Sequence, residues 1–523
     1  MIMAASGELI TLFSKYIEDC LGLHFPKERA EDLERAVRGA AAGLGFKDAE
    51  SCMRSFLLAP ASREQVEALA GYLTVGETYF FREEKTFDAL RELILPGLIR
   101  LRRKTGRHLR IWSAGCATGE EPYSIAILLH SLLPDFKEWN INILATDINP
   151  HFLKKAAGGI YGEWSFRNAS SFRDRYFRKV EKDRYGLLPA IKKQVTFRYH
   201  NLAGDAFPSL SNGTNAMDVI FCRNVLMYFS RKVQKEVVRK LYSSLAENGW
   251  LAVSPVEMSS RLFSPFTRVD FPGASMYKKE KGKNFPDKKE ENGGLSAFDP
   301  ASALPADQPP EEDLKHTFGP GQAGAAPQHE GATVFPAEGQ KKGTGAQRGP
   351  SLSYRDALDM YREDRYEEAA GMAVRLLRAG GEGEENKVGK KKALALLSRI
   401  YANQGRLEDA LRMCEETISL DKLDPAPYYL LAVIRQEMGE LAEASAALKK
   451  AVYLDPGFVL AYFVLGDIAR RQGYFAESKK YFDNALSAMG RYGRDDLVPE
   501  SDGLTAGRLI EIISNNIREM AEA

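Results

Sequence analysis

The chain has 523 residues, 27% of them charged and 44% hydrophobic, and carries a net charge of +1. Its length suits two or three domains, its charge excludes a global field for nucleic acid, and no apolar run approaches the roughly 18 residues needed to span a bilayer. Cys20, Cys52, Cys116, Cys222 and Cys414 are scattered and never form Cys-x-x-Cys, which argues against a disulfide framework or a zinc site and for a reducing cytoplasm.

Residues 1–78 read as a helical domain. Leu9, Phe13, Tyr16 and Ile17 keep helical spacing, as do Leu33, Val37 and Ala41. The apolar start, Met1 to Phe13, lacks a basic leader and a cleavage pattern, so it is expected to be mature helix. Lys27, Arg29, Arg35 and Arg38 share their helix with Glu28, Glu31, Asp32 and Glu34. The mixture reads as a solvated face, with a dock for an acidic helical partner as the alternative.

Residues 79–281 alternate strand and helix patterns, as an α/β sheet does. Leu109 to Ser113 is the first strand, followed by a turn holding Gly115 and Gly119 and a helix from Pro122 to Leu133. Asn140 to Thr146 is the second strand, with Asp147 at its end. Val195 to Tyr199 leads to Asn201-Leu202. Asp218 to Cys222 is the next strand, and Gly249 to Ser254 and Met276 to Lys278 are late strands. Residues 282–350, rich in Pro, Gly, Ala and charge, read as a flexible linker.

Residues 351–490 contain a repeat. Gly405, Gly439 and Gly473 are spaced 34 apart, as are Ala410, Ala444 and Ser478, and Thr417, Ala451 and Ala485. This is the tetratricopeptide period: a helix, a turn at the glycine, a second helix, and small residues where helices touch. A weaker first copy runs from Asp364 to Ala369, followed by an enlarged loop from Gly380 to Lys390. Residues 491–523 form a tail with a capping helix from Ala506 to Met520.

The glycine turn after the first strand is a nucleotide-type element. A dinucleotide fold would place a pyrophosphate on the following helix N-terminus. This chain has Glu120 and Glu121 there, which suit the helix dipole but repel phosphate. A cationic, phosphate-free nucleoside fits better, and S-adenosylmethionine is one. Asp147 stands where ribose hydroxyls would be bound. Asn224-Val225 follows the next strand into the same crevice.

The segments Trp112 to Ser124, Thr146-Asp147-Ile148 and Phe221 to Phe229 resemble the chemoreceptor glutamate methyltransferases of bacterial chemotaxis, the CheR family. Leu73 to Arg82 resembles that family's Thr-x-Phe-Phe-Arg segment, and the likeness covers roughly residues 8–280. The resemblance implies a Rossmann-like class I methyltransferase of α/β fold behind a small helical domain, with S-adenosylmethionine as cofactor and no metal. The substrate it implies is glutamate side chains on the helical bundle of a methyl-accepting chemoreceptor, converted to methyl esters. By the same resemblance Thr78 and Arg82 line the methyl-donor end and Tyr228 sits near the reacting methyl. Glu121 holds the amino-acid or sulfonium region beside the Gly115 turn. Asp147 binds the ribose, Asn201-Leu202 borders the adenine, and Asn224-Val225 borders the methionine part. Gly76 departs from the family, which often has Asn there. The region from Phe177 through Arg184-Tyr185-Gly186 to Phe197 matches a subdomain that docks receptor tail peptides in some members. It lacks their glycine-rich loop, so recognition independent of a tail peptide is expected. The repeats are expected to bind a protein or peptide partner. Two other readings are a non-catalytic adaptor with a degenerate methyltransferase domain, and a different α/β enzyme such as a dehydrogenase or a small-molecule methyltransferase.

Overall fold

Leu9, Ile10, Phe13, Ile17 and Leu21 recur every three or four residues, and they form the buried stripe of α1 (Gly7–Leu21). The computed structural model describes residues 7–280 and 353–522, apart from 60, 105, 168–171, 363–364, 380–383, 495 and 502–503. The expected linker, residues 1–6, Asp364 and the first part of the expected repeat loop lie outside the described residues.

Three more helices, α2 (Ala30–Gly43), α3 (Ala49–Leu58) and α4 (Arg63–Leu73), complete the helical domain. Asp48 with Ser51, and Ser62 with Gln65, form reciprocal capping boxes that start α3 and α4. Arg29 pairs with Asp32 at 3.2 Å and Arg38 with Glu34 at 2.9 Å. The basic face is thus neutralised by its own acids.

Next come α5 (Glu84–Ala89), α6 (Leu95–Arg103), β1 (His108–Ala114), α7 (Glu120–Leu132), β2 (Asn140–Asp147) and α8 (Pro150–Gly158). They are followed by β3 (Ile160–Gly162), the single turn α9 (Arg173–Tyr176), β4 (Phe177–Glu181), β5 (Arg184–Leu187), the single turn α10 (Pro189–Lys192) and β6 (Val195–Tyr199). The domain ends with β7 (Met217–Phe221), α11 (Arg231–Ser244), β8 (Leu245–Ala252), β9 (Thr267–Phe271) and β10 (Ala274–Lys278). Seven strands form one Rossmann-like sheet, ordered β6-β2-β1-β7-β8-β10-β9. The first five are parallel, and β10 runs antiparallel to β8 and β9. β3, β5 and β4 make a separate small sheet. The helix after the glycine turn begins at Glu120, two residues before Pro122, because Gly119 at φ +95° already turns the chain.

The repeats form helix pairs: α12 (Tyr354–Arg362) with α13 (Tyr366–Ala379), α14 (Glu384–Asn403) with α15 (Leu407–Leu420), α16 (Pro425–Glu437) with α17 (Leu441–Leu454), and α18 (Val459–Arg471) with α19 (Phe475–Met489). α20 (Ala506–Glu522) packs on the last pair. The periodic glycines, Gly405, Gly439 and Gly473, all have positive φ, and Ala410, Ala444 and Ser478 are fully buried. Glu384 to Lys390 is not loop, as the sequence suggested, but the first turns of α14. Lys390 and Lys391 tie it to Glu416 and Asp421 at 3.1 and 2.6 Å. No helix among the described residues is long and apolar enough to cross a membrane.

Candidate active site

In an open parallel sheet the ligand crevice lies at the carboxyl ends of the strands, where the strand order reverses. Here that point is between β1 and β7, so the loops after Ala114 and Phe221 face each other. Gly115 has φ +84°, and a Cβ there would overlap Val225 Cγ2. The two loops touch only because residue 115 has no side chain.

The two glutamates that open α7 divide. Glu120 is 1% exposed and accepts from Thr118 Oγ1 at 2.6 Å and Ser165 Oγ at 2.9 Å, so it supports the turn. Glu121 accepts from Ser113 Oγ at 2.7 Å and lies 3.5 Å from Arg223 Nη1. Burial raises its pKa, and Arg223 opposes the rise. The sequence reading assigned only Glu121 to the site, and Glu120 is structural.

Arg223 is the hub of this end. Its Nη2 donates to the Arg82 carbonyl at 2.6 Å, and its Nε lies 3.4 Å from Glu83. Glu83 takes a left-handed φ of 59°, and burial raises its pKa. Arg82 Nη1 donates to the Glu77 carbonyl at 2.8 Å, and its guanidinium lies near the Tyr79 ring. Thr78 lies on the irregular segment between α4 and α5 that carries Arg82. In that segment a Cβ on Gly76 would stand 2.5 Å from the Phe152 ring, so the ring takes the space an Asn would need.

Asp147 is 8% exposed at the end of β2. Its Oδ2 accepts from Ala117 N at 2.8 Å and its Oδ1 from Asn149 N at 2.9 Å. Burial raises its pKa while these backbone donors hold it down. Each oxygen can still accept a second hydrogen bond. Asn201 and Leu202 face the helical domain. Asn201 Nδ2 donates to the Cys20 carbonyl at 2.9 Å, its Oδ1 accepts from Ala203 N, and Leu202 is in the shared core. Tyr228 also packs against that core, and its carbonyl accepts from His24 N at 2.8 Å.

Glu257 is the residue the sequence reading passed over. Its carboxylate accepts from Asn224 N and Val225 N, both at 2.7 Å, and from Met227 N at 3.2 Å. It also accepts from Ser254 N and Ser254 Oγ. Five donors converge on one buried carboxylate, and they hold Asn224 at φ 57°. The Ser254-x-x-Glu257 spacing of a capping box was the available signal. Glu83 and Arg223 had no comparable local signal.

Arg223 Nε and Nη1 and Glu83 Oε2 are buried without a hydrogen bond. They face one another as loose ion pairs, Arg223 Nε with Glu83 at 3.4 Å and Nη1 with Glu121 at 3.5 Å, so charges of both signs line this end, which suits a ligand with both a carboxylate and an ammonium. With Asp147 available to hydroxyls and no phosphate cradle, the residues fit S-adenosylmethionine. Strand order and turn chemistry therefore place the fold among the class I methyltransferases that use this donor.

The family description "CheR methyltransferase, SAM binding domain" matches residues 76–269, and a tetratricopeptide repeat description matches residues 426–458 and 459–488. Chemotaxis protein methyltransferase 2 of Vibrio cholerae is 38% identical over 44% of this chain and 79% of its own length. The chemotaxis protein methyltransferase of Borreliella burgdorferi is 31% identical over 46% of this chain and 85% of its own. The probable biofilm formation methyltransferase WspC of Pseudomonas aeruginosa is 36% identical over 47% of this chain and 56% of its own. The chain belongs to the chemotaxis protein methyltransferase family. It is a protein-glutamate O-methyltransferase with S-adenosylmethionine as its methyl donor.

Proposed function

We propose that this enzyme methylates glutamate side chains on the cytoplasmic helical bundle of a methyl-accepting chemoreceptor, and that its repeats hold a protein partner. The reading rests most on Arg82. It lies beside the buried Arg223–Glu83–Glu121 cluster, its guanidinium is only partly buried, and it donates to a neutral carbonyl, that of Glu77. Such a group can receive a carboxylate by charge-assisted hydrogen bonds.

Thr78 and Arg82 line the donor's reactive end, with Tyr228 beside the acceptor. Glu121, the Gly115 turn and Asn224-Val225 hold the amino-acid part. Asp147 takes the ribose, and the Asn201-Leu202 turn borders the adenine. S-adenosylmethionine supplies an electrophilic methyl group when bound. A glutamate side chain, with a reference pKa of about 4.3, is already ionised at neutral pH. No general base is needed, and what remains is alignment and exclusion of water. Arg82 orients one carboxylate oxygen without gripping it so tightly that it loses nucleophilicity. The β4–β5 hairpin turns through Lys182 and Asp183 with no glycine-rich loop, which supports recognition of the bundle without a tail peptide. The reaction would take place in the cytoplasm.

The test is incubation of the full chain with labelled donor and receptor cytoplasmic domains. Base-labile label mapping to glutamates is expected. Label that is base-stable, or absent from every receptor glutamate, would reject this substrate.

A further inference from the structure

Alternate residues of β1, β2 and β6 face opposite sides of the sheet. Ile111, Ile143, Ala145 and Val195 belong to the core on the α7 side. On the other side Arg110 is in register with Asn142, Leu144 with Thr196, and Thr146 with Arg198. Towards the β6 edge this second side is polar.

That side is covered by the repeats. Tyr429, Val433 and Glu437 of α16, and Phe463, Asp467 and Arg471 of α18, close over it around a cavity of about 60 Å³. Their spacing makes one stripe on the first helix of each pair, the inner surface on which such arrays take ligands. Arg110 pairs with Glu437 and donates to the Gly213 carbonyl at 2.8 Å. Arg198 is half-buried beside Asp467 and Arg471. Leu210 of the loop before β7 packs against the apolar clusters of the repeats. Asn215 Nδ2 donates to the Ala402 carbonyl at 3.4 Å. Two of the periodic glycines also rest on the catalytic domain. A Cβ on Gly405 would stand 2.9 Å from Ala216 Cβ, and one on Gly439 would stand 3.0 Å from Asn140 Nδ2.

We propose that the third and fourth repeat pairs hold the chain's own catalytic domain as their ligand, through a separable ion-paired seam. A protein partner entering that half of the groove must displace the sheet. The polarity of the sheet's side of the seam, where Leu210 is the main apolar contact, is the reason for separability. A permanent contact would bury apolar surface, whereas Arg110, Asn142, Thr196 and Arg198 tolerate water once uncovered. The second pair meets the catalytic domain at the C-terminal end of α14 and its turn, through Ala402 and Gly405. A cavity of about 560 Å³ lies along α12, α14, α15 and the start of α16, among Tyr354, Leu358, Lys392, Arg399 and Leu430, with no residue of the catalytic domain in its wall. The proposal is intrachain and does not depend on the receptor substrate.

Hydrogen–deuterium exchange and small-angle scattering on the full chain test it, with Glu437→Lys and Leu210→Asp cutting the seam from opposite sides. In wild type α16, α18 and residues 207–216 are expected to exchange slowly. In each variant their exchange should quicken about tenfold or more and the radius of gyration should rise, with helix content and donor affinity unchanged. Should one variant fail to fold, the other reads the same seam. Solvent-like exchange of these segments in wild type, or exchange and radius unchanged in the folded variants, would overturn the proposal.

Discussion

The proposed function puts Arg82 and Glu257 on opposite terms of the reaction, which makes their variants separable. With Arg82 orienting the acceptor as proposed, Arg82→Ala should lose turnover about a hundredfold while donor affinity falls much less. Single-turnover kinetics and calorimetry would show the split. Glu257 acts on the donor side by holding the Asn224–Met227 backbone. In Glu257→Gln one acceptor oxygen becomes a donor facing backbone N–H groups. Hydrogen bonds to a charged group contribute about 1.5–3 kcal/mol, so donor affinity should weaken about tenfold or more with turnover at saturation less affected. Arg82 and Asp147 stood out in the sequence because each adjoins a motif that can be read along the chain. Glu257 lies 33 residues from the loop it holds, and the Arg223–Glu83 approach spans two loops. The capping-box spacing marks Glu257 itself, but neither long-range contact can be read from local spacing.

At the scale of elements, the strand pattern and the 34-residue period were legible because both are repeated chemical alternations. The start of α14 was not. Its Gly389 resembles a breaker, but one interior glycine costs about 1 kcal/mol, and the ion pairs to Glu416 and Asp421 fasten these turns to α15 and the turn after it. Gly76 teaches a related lesson. Its departure from the family pattern is steric, since the Phe152 ring of α8 fills the space. Gly76→Asn should therefore destabilise the protein by about 1 kcal/mol, the cost of displacing the half-exposed Phe152 ring. Adding Phe152→Ala should cost less than the sum of the two single changes, measured as denaturant midpoints in a double-mutant cycle.

At the scale of the whole molecule, the seam has an acid signature. Burial alone would raise the pKa of Asp467, but Arg471, Arg470 and Arg198 overcome it and hold it at about 2, against 3.8 for a free side chain. The folded state therefore binds this proton less readily than the unfolded chain does. The resulting stability is fully present above about pH 4 and is lost as pH falls through about 2, roughly 2 kcal/mol in all. The stability difference between wild type and Asp467→Asn should be flat near neutrality and should narrow by that amount on acidification. Urea midpoints followed by circular dichroism across this range would check it.

With the sheet clasped, the cavity along α12, α14 and α15 stands at a fixed offset from the catalytic crevice. An anchor bound there would work as a ruler and not as a leash. Glutamates at one distance along a receptor from the anchoring point would be modified first, and those a few helical turns away would wait until the clasp lets go.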